Sequence, residues 1–174
     1  MAKKYETKVR IMDDGTVQVD DAKIRFKNFE GRPTKFNPKG GVRSFLWVIE
    51  DEEVADELKD MGFTGVKEYR NNDGDIVWQL DIKIRFNDKG PIIYMASRGK
   101  KIRLREEDDK ALAKLDEVYI SRFDFDFAPH GYDGRDGHTQ TAYLRSAKAT
   151  LFEYGSRFDD DDEEVDFDND AAPF

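Results

Sequence analysis

The chain has 174 residues, 38% hydrophobic and 13% aromatic, with 29 basic and 38 acidic side chains and a net charge of −9. It has no cysteine, which excludes disulfides and Cys-ligated zinc, and no uncharged apolar run approaches the ~18 residues a membrane span needs, so no membrane partner is expected. Residues 159–174 hold nine carboxylates and no Lys or Arg, which leaves 29 of each sign in residues 1–158, so the pI of 4.9 does not argue against a nucleic-acid partner for that neutral body.

The first residues carry charge without an apolar core to follow, so no signal peptide is expected and the expected compartment is the cytoplasm. Residues 1–21 are polar with a turn at Asp13-Asp14-Gly15 and read as an N-terminal arm or an edge hairpin. Residues 22–28 alternate, with Ala22, Ile24 and Phe26 on one face and Lys23, Arg25 and Lys27 on the other, the pattern of a half-buried strand whose outer face is a phosphate track or a charged edge. Residues 29–42 form a Gly/Pro loop carrying Arg32, Lys35 and Lys39 between Phe29 and Phe36. Cations hold phosphates and rings stack on bases, so this loop suits a single strand, although Phe36 could equally plug the loop onto the core.

Residues 43–49 are apolar on both parities, with Phe45, Trp47 and Ile49 on one side and Leu46 and Val48 on the other. Such a strand is buried twice or gives one face to a ligand. Arg43 shares a side with Phe45 and Trp47, which favours that side as a stacking platform, core being the alternative. Residues 51–61 read as a helix capped by Asp51, and residues 65–70 as a strand before the Asn71-Asn72-Asp73-Gly74 turn. A long strand then alternates through Trp78, Leu80, Ile82, Ile84 and Phe86, with Lys83 and Arg85 on its polar face joining the cation set. After a turn at 87–91 and a strand at 92–96, residues 97–103 hold Arg98 and Lys100 among four cations, with Gly99 to let a backbone come close. A short helix spans 107–115. A strand spans 118–128 with a phase shift near Ser121 that implies a bulge. Residues 129–138 read as a Gly/Asp-rich hairpin loop bearing Tyr132 and Arg135, and residues 139–152 as the closing strand.

These elements suggest a mostly β fold, an OB-type Greek-key barrel with one or two short helices and a disordered acidic C-terminal tail, over a β-sandwich. The expected domain covers residues 22–154, with the tail from 155 to 174. In an OB barrel the loops 29–42 and 129–138 would flank the groove. The expected single-strand contacts are Arg25, Lys27, Arg32, Lys35, Arg43, Lys83, Arg85, Arg98 and Lys100 for phosphates, and Phe36, Phe45, Trp47 and Tyr132 for bases. His130 and His138 with Asp133 and Asp136 are weak evidence for a metal, and Asp124 with Asp126 lacks a third ligand or a base. Neither a phosphate-binding Gly-rich loop nor a nucleophile motif is present. No cofactor, metal or catalysis is expected.

The tail is not plain acid. Phe167 lies between Asp166 and Asp168, Asp170 follows, and the sequence ends Ala171-Ala172-Pro173-Phe174. A ring and a carboxylate on one residue, approached by a restricted Pro backbone, suit a basic-rimmed apolar pocket on another protein. This stretch resembles the C-terminal tip of bacterial and phage single-stranded-DNA-binding proteins, of the shorter phage type, and Ala171 and Ala172 depart from the bulkier residue usual before the proline. The resemblance implies non-specific coating of single-stranded DNA in replication, recombination or repair, with partner enzymes docked at Asp166, Phe167, Asp168, Asp170, Pro173 and Phe174. Two other readings stay open: an acidic interaction protein (a DNA mimic or a chaperone of basic proteins) and a cold-shock-type RNA-binding barrel. Oligomeric state is open, a homo-oligomer included.

Overall fold

The computed structural model describes residues 7–88, 90–134 and 137–151, with side chains for all of these except 131–139. Strands β1 (Lys8–Ile11) and β2 (Val17–Asp20) form an antiparallel hairpin around the Asp13-Asp14-Gly15 turn. Val17 and Val19 are fully buried, so β2 adds to the core as well as to the sheet. Strand β3 (Lys23–Asn28) leads through the expected loop into β4 (Arg43–Ile49). Helix α1 (Glu52–Asp60) starts where Asp51 accepts a hydrogen bond from the Glu53 N–H, with Glu52 and Glu53 in the first turn and Lys59 in the last, a charge order that suits the helix dipole.

The turn at 71–74 joins β5 (Lys67–Arg70) to β6 (Ile76–Ile84), and Asn71 Oδ1 accepts from the N–H groups of Asp73 and Asp75 to fix it. Strands β7 (Ile92–Ser97) and β8 (Lys100–Leu104) form a hairpin whose tip is Arg98-Gly99, so the basic run is a strand pair with a turn. Helix α2 (Asp109–Glu117) precedes β9 (Ile120–Gly134), which pairs with β10 (Gly137–Leu151). The bulge expected near Ser121 is present: Arg122 pairs with Thr150 and Ile120 with Leu151, leaving Ser121 extra.

The sequence expectation of a loop at 129–138 is corrected. Ladder pairing runs through Pro129–Ala142, His130–Thr141 and on to Gly134–Gly137, so the segment is the outer part of a two-stranded ribbon. Gly and Asp predict a turn, but uninterrupted cross-strand pairing on both sides carries the strands past them.

The sheet order β1-β2-β9-β10-β6-β4-β3 curls into an OB-type barrel. Three steps separate β9 from β4 along this order, about 14 Å in a flat sheet. Yet the Phe45 ring lies 5.1 Å from Phe123 and 5.0 Å from Phe125, centroid to centroid. The last strand also returns to the third: the Ala22 N–H donates to the Phe123 carbonyl at 2.8 Å. The central pair, β6 with β10, is parallel, whereas β3–β4, β4–β6 and β9–β10 are antiparallel. The core is an aromatic spine of Phe29, Phe45, Trp47, Phe63, Phe123, Phe125 and Phe127, all at most 2% exposed. Among the described residues no helix is long and apolar enough to cross a membrane.

Candidate nucleic-acid interface

The loop between β3 and β4 is built from its base. Asn28 is 8% exposed; its Oδ1 accepts from the N–H groups of Gly31 and Arg32, and its Nδ2 donates to the carbonyls of Arg32 and Val42. Gly41 N–H closes the neck onto the Gly31 carbonyl at 2.8 Å. Gly40 sits at φ 72° where a Cβ would come 3.0 Å from that same carbonyl oxygen, so only glycine fits. At the far end, Thr34 and Asn37 exchange backbone hydrogen bonds, and the Asn37 N–H also reaches Thr34 Oγ1. This tight turn holds Lys35 and Phe36 at the tip. Phe36 is 94% exposed, which removes the alternative that it plugs the loop onto the core. Asn28 gave no sequence signal beyond being a polar residue at a strand end.

Beside the loop's neck lies a cavity of about 390 Å³ lined by Arg43, Lys83, Arg85, Phe86, Glu106 and Tyr143 with neighbouring backbone. Three of the expected phosphate contacts converge here because β4 begins where β6 ends and β10 runs alongside: Ser44 pairs with Lys83, and Lys83 with Tyr143. The Arg43 guanidinium stacks over Phe86 at 5.0 Å and that of Arg85 lies over Tyr143 at 5.7 Å. Lys83 is tied to Asp81 at 2.7 Å, with both side chains about half exposed. Arg43 Nη1 is buried and has no hydrogen-bond partner among the described residues. A buried guanidinium donor left unpaired is costly, and an anionic oxygen would satisfy it. Phe86 and Tyr143 were not expected here; only the register places them beside the cations.

A larger concavity, about 560 Å³, is lined by Lys23, Arg25, Lys27, Val48, Tyr69, Val77 and residues 118–121 among others. Arg25 pairs with Leu46, and Lys23 with Val48, so both cations lie on the outer face of the β3–β4–β6 ladder. Lys23 is in an ion pair with Glu50. Tyr119, 70% exposed, adds a ring at the rim.

Several expectations are corrected. Lys27 is taken up by the fold: its Nζ donates to the Leu115 carbonyl at 3.0 Å and the Val118 carbonyl at 2.7 Å, closing the C-terminal end of α2. Burial holds its ammonium below the ordinary lysine value, against the pull of Asp116. Phe45 and Trp47 are 0% and 1% exposed and face Phe123, Phe125 and Phe127, so neither ring is offered to a base. The face with Arg43 is the inner one; Arg43 escapes the core only because it begins the strand. Phe26 does not share a face with Ala22 and Ile24. Arg25 pairs with Leu46 but Asn28 with Ser44, a one-residue bulge that turns Phe26 outward to 78% exposure.

Arg32 is exposed and its Nη2 donates to the Lys27 carbonyl at 3.2 Å, which lays its guanidinium against this bulge. Arg98 and Lys100 are not brought to the Arg43 cavity. They follow Ala96, which pairs with Thr150, seven residues beyond Tyr143, or about 23 Å along β10 at ~3.3 Å per residue. On that hairpin the outward face instead carries Lys101, whose Nζ sits 4.4 Å from the Tyr94 ring centroid. Tyr132 pairs with Thr139 in the ribbon, and its side chain lies outside the described residues, as does Arg135. So do Asp166, Phe167, Asp168, Asp170, Pro173 and Phe174.

Comparison with known proteins adds to this geometry. The family model of a putative phage ssDNA-binding domain matches residues 6–164. Among solved structures, the single-stranded DNA-binding protein from bacteriophage Enc34 in complex with ssDNA is similar, with TM-score 0.55 and 12% identity over 88% of this chain and 95% of that one. Another structure of the Enc34 protein gives TM-score 0.52 and 12% identity over 92% of this chain and 96% of that one. At these identities the likeness speaks for the fold. No curated protein sequence matches.

Proposed function

We propose, on the premise that this chain belongs to the phage ssDNA-binding domain family, that it is a non-enzymatic protein that coats single-stranded DNA without strong sequence preference. The observation that carries this reading is the Arg43–Lys83–Arg85 cavity beside the β3–β4 loop, where a buried guanidinium donor lacks a partner among the described residues and two rings stand behind the cations. A phosphate would accept from Arg43 and lie near Lys83 and Arg85. Adjacent bases would reach the exposed Phe36 on the loop tip, each stacked ring being worth ~1–3 kcal/mol. The opposing ribbon of β9 and β10 is the other wall of the groove in an OB barrel.

In the same reading the acidic residues 159–174 serve replication or recombination enzymes in the host cytoplasm. Asp166, Phe167, Asp168, Asp170, Pro173 and Phe174 form the docking tip. The acids also compete with DNA for the groove, favoured by tethering.

The test is a titration of labelled oligo-dT, oligo-rU and duplex DNA at low and high salt. Tight oligo-dT binding that weakens steeply with salt and exceeds duplex binding is the expected result. Preference for rU would favour an RNA-binding barrel, and no oligonucleotide binding would favour an acidic interaction protein. Deleting 159–174 should leave oligo-dT affinity equal or higher while abolishing partner capture; much weaker DNA binding would refute the competitor role.

A further inference from the structure

One aromatic residue stands apart from the groove just described. Phe26 lies within a strand, not a loop, yet it is 78% exposed. Its backbone is left-handed, at φ 53°. It occupies the extra position of the β3 bulge, where a left-handed residue is ordinarily glycine. A phenylalanine here is doubly unfavourable: the side chain strains the backbone and the ring gains no core contact. Strain held at an exposed ring points to a use outside the fold.

The surroundings define the ligand. Arg25, the preceding residue, is exposed on the outer face of the β3–β4 ladder. The Arg32 guanidinium is laid against the bulge by its bond to the Lys27 carbonyl. The residues on either side, Arg25 and Lys27, both line the larger concavity, so the backbone that carries the ring borders it. An exposed planar ring with one cation preceding it in the chain and another held at the bulge suits a base flanked by its phosphates.

We propose that Phe26 is a base-stacking station for single-stranded DNA, with Arg25 and Arg32 on the flanking phosphates. The bound strand then crosses the β3 bulge as well as the Arg43 cavity. The inference rests on the single-strand-binding reading and extends its footprint to the barrel's edge strand.

The test compares the full chain with Phe26→Gly and Phe26→Tyr. Glycine takes the left-handed backbone without steric cost. Phe26→Gly should therefore keep the fold, seen as an unchanged circular dichroism spectrum, yet bind oligo-dT about tenfold more weakly, within the range expected for one stacked base. Phe26→Tyr keeps a π face and should bind like the original. Photocrosslinking to oligonucleotide containing 5-iododeoxyuridine, read by mass spectrometry, should label Phe26 directly. Unchanged affinity in Phe26→Gly, equal loss in both variants, or labelling that avoids Phe26 would overturn the assignment. A Phe26→Gly protein that differs from the original only in oligomeric state would also overturn it and mark a contact between copies. If the unaltered chain itself ignores oligo-dT, it is the functional reading that falls, and that outcome is distinct from a selective null at Phe26.

Discussion

The two faces of the β4–β6 ladder are made from alternate residues of the same strands and stand in opposite relation to water. Inside, Phe45, Trp47, Leu80 and Ile82 are at most 3% exposed, and the Phe45 and Trp47 rings meet Phe125 of β9. Outside, Leu46 and Val48 are half-buried among Arg25, Gln79, Asp81 and Lys83. Aromatic content alone therefore misdirects. The rings that look most like a stacking platform fill the core because Phe123, Phe125 and Phe127 need partners. The surface that can hold a strand is built from cations, with rings supplied by a loop tip, a bulge and neighbouring strands.

The comparison breaks most visibly at its inner side. Trp47→Ala should destabilise the protein by about 3–5 kcal/mol, as for other large aromatic truncations in packed cores, measured by urea unfolding. Where it remains folded, its oligo-dT affinity should be close to that of the parent. Intrinsic tryptophan emission sharpens the point. Trp47 and Trp78 are 1% and 6% exposed, so binding should leave their emission nearly unquenched; strong quenching would return Trp47 to the interface.

The clamp between β3 and α2 comes next in size. The Asp116 carboxylate accepts from the Phe29 N–H at 2.7 Å and the Glu30 N–H at 3.1 Å, at the root of the β3–β4 loop. Asp116→Ala leaves both donors unpaired and should cost about 1–3 kcal/mol in urea unfolding. Because the loop hangs from this clamp, oligo-dT affinity should fall as well; full stability in the variant would show that the clamp does not hold the loop.

The smallest effect lies on β9, away from both faces of that ladder. Burial raises the Asp126 carboxyl above its ordinary value of 3.8, with Asp20 adding to the rise, while the Ser146 hydroxyl, 3.2 Å away, and Arg10 oppose it. The native state thus holds this proton more firmly than the unfolded chain. Its contribution is present at low pH and lost as pH rises through the raised pKa. Asp126→Asn should therefore gain stability relative to the parent as pH increases from about 4 to 7. A variant that instead loses stability relative to the parent over that range would contradict the sign.

Much of this fold was legible where local chemistry and period agree. The Asp51 cap, the 71–74 turn, the long alternation of β6 and the bulge at Ser121 each follow from a few neighbouring residues. The site was less legible because it depends on register. Lys83 and Arg85 could be named as cations, but Tyr143 joins them only through parallel pairing of β10 with β6. Lys27 looked like its neighbours Lys23 and Arg25 until the bulge turned it toward α2, and the same bulge exposed Phe26. Arg98 and Lys100 share the groove's charge, yet they lie at the tip and start of the second arm of a hairpin whose first strand, β7, pairs with the far end of β10. Charge and ring type are local facts; which of them share a surface is a long-range one.

The most direct test of the outer face as the DNA-binding surface is the salt dependence of oligo-dT affinity for the parent and for a Lys83→Ala, Arg85→Ala double variant. If these two cations neutralise phosphates, the plot of log affinity against log salt should become shallower by about 1.4, near 0.7 for each lost contact to a single strand, with the fold unchanged. An identical slope in the two proteins would contradict that account.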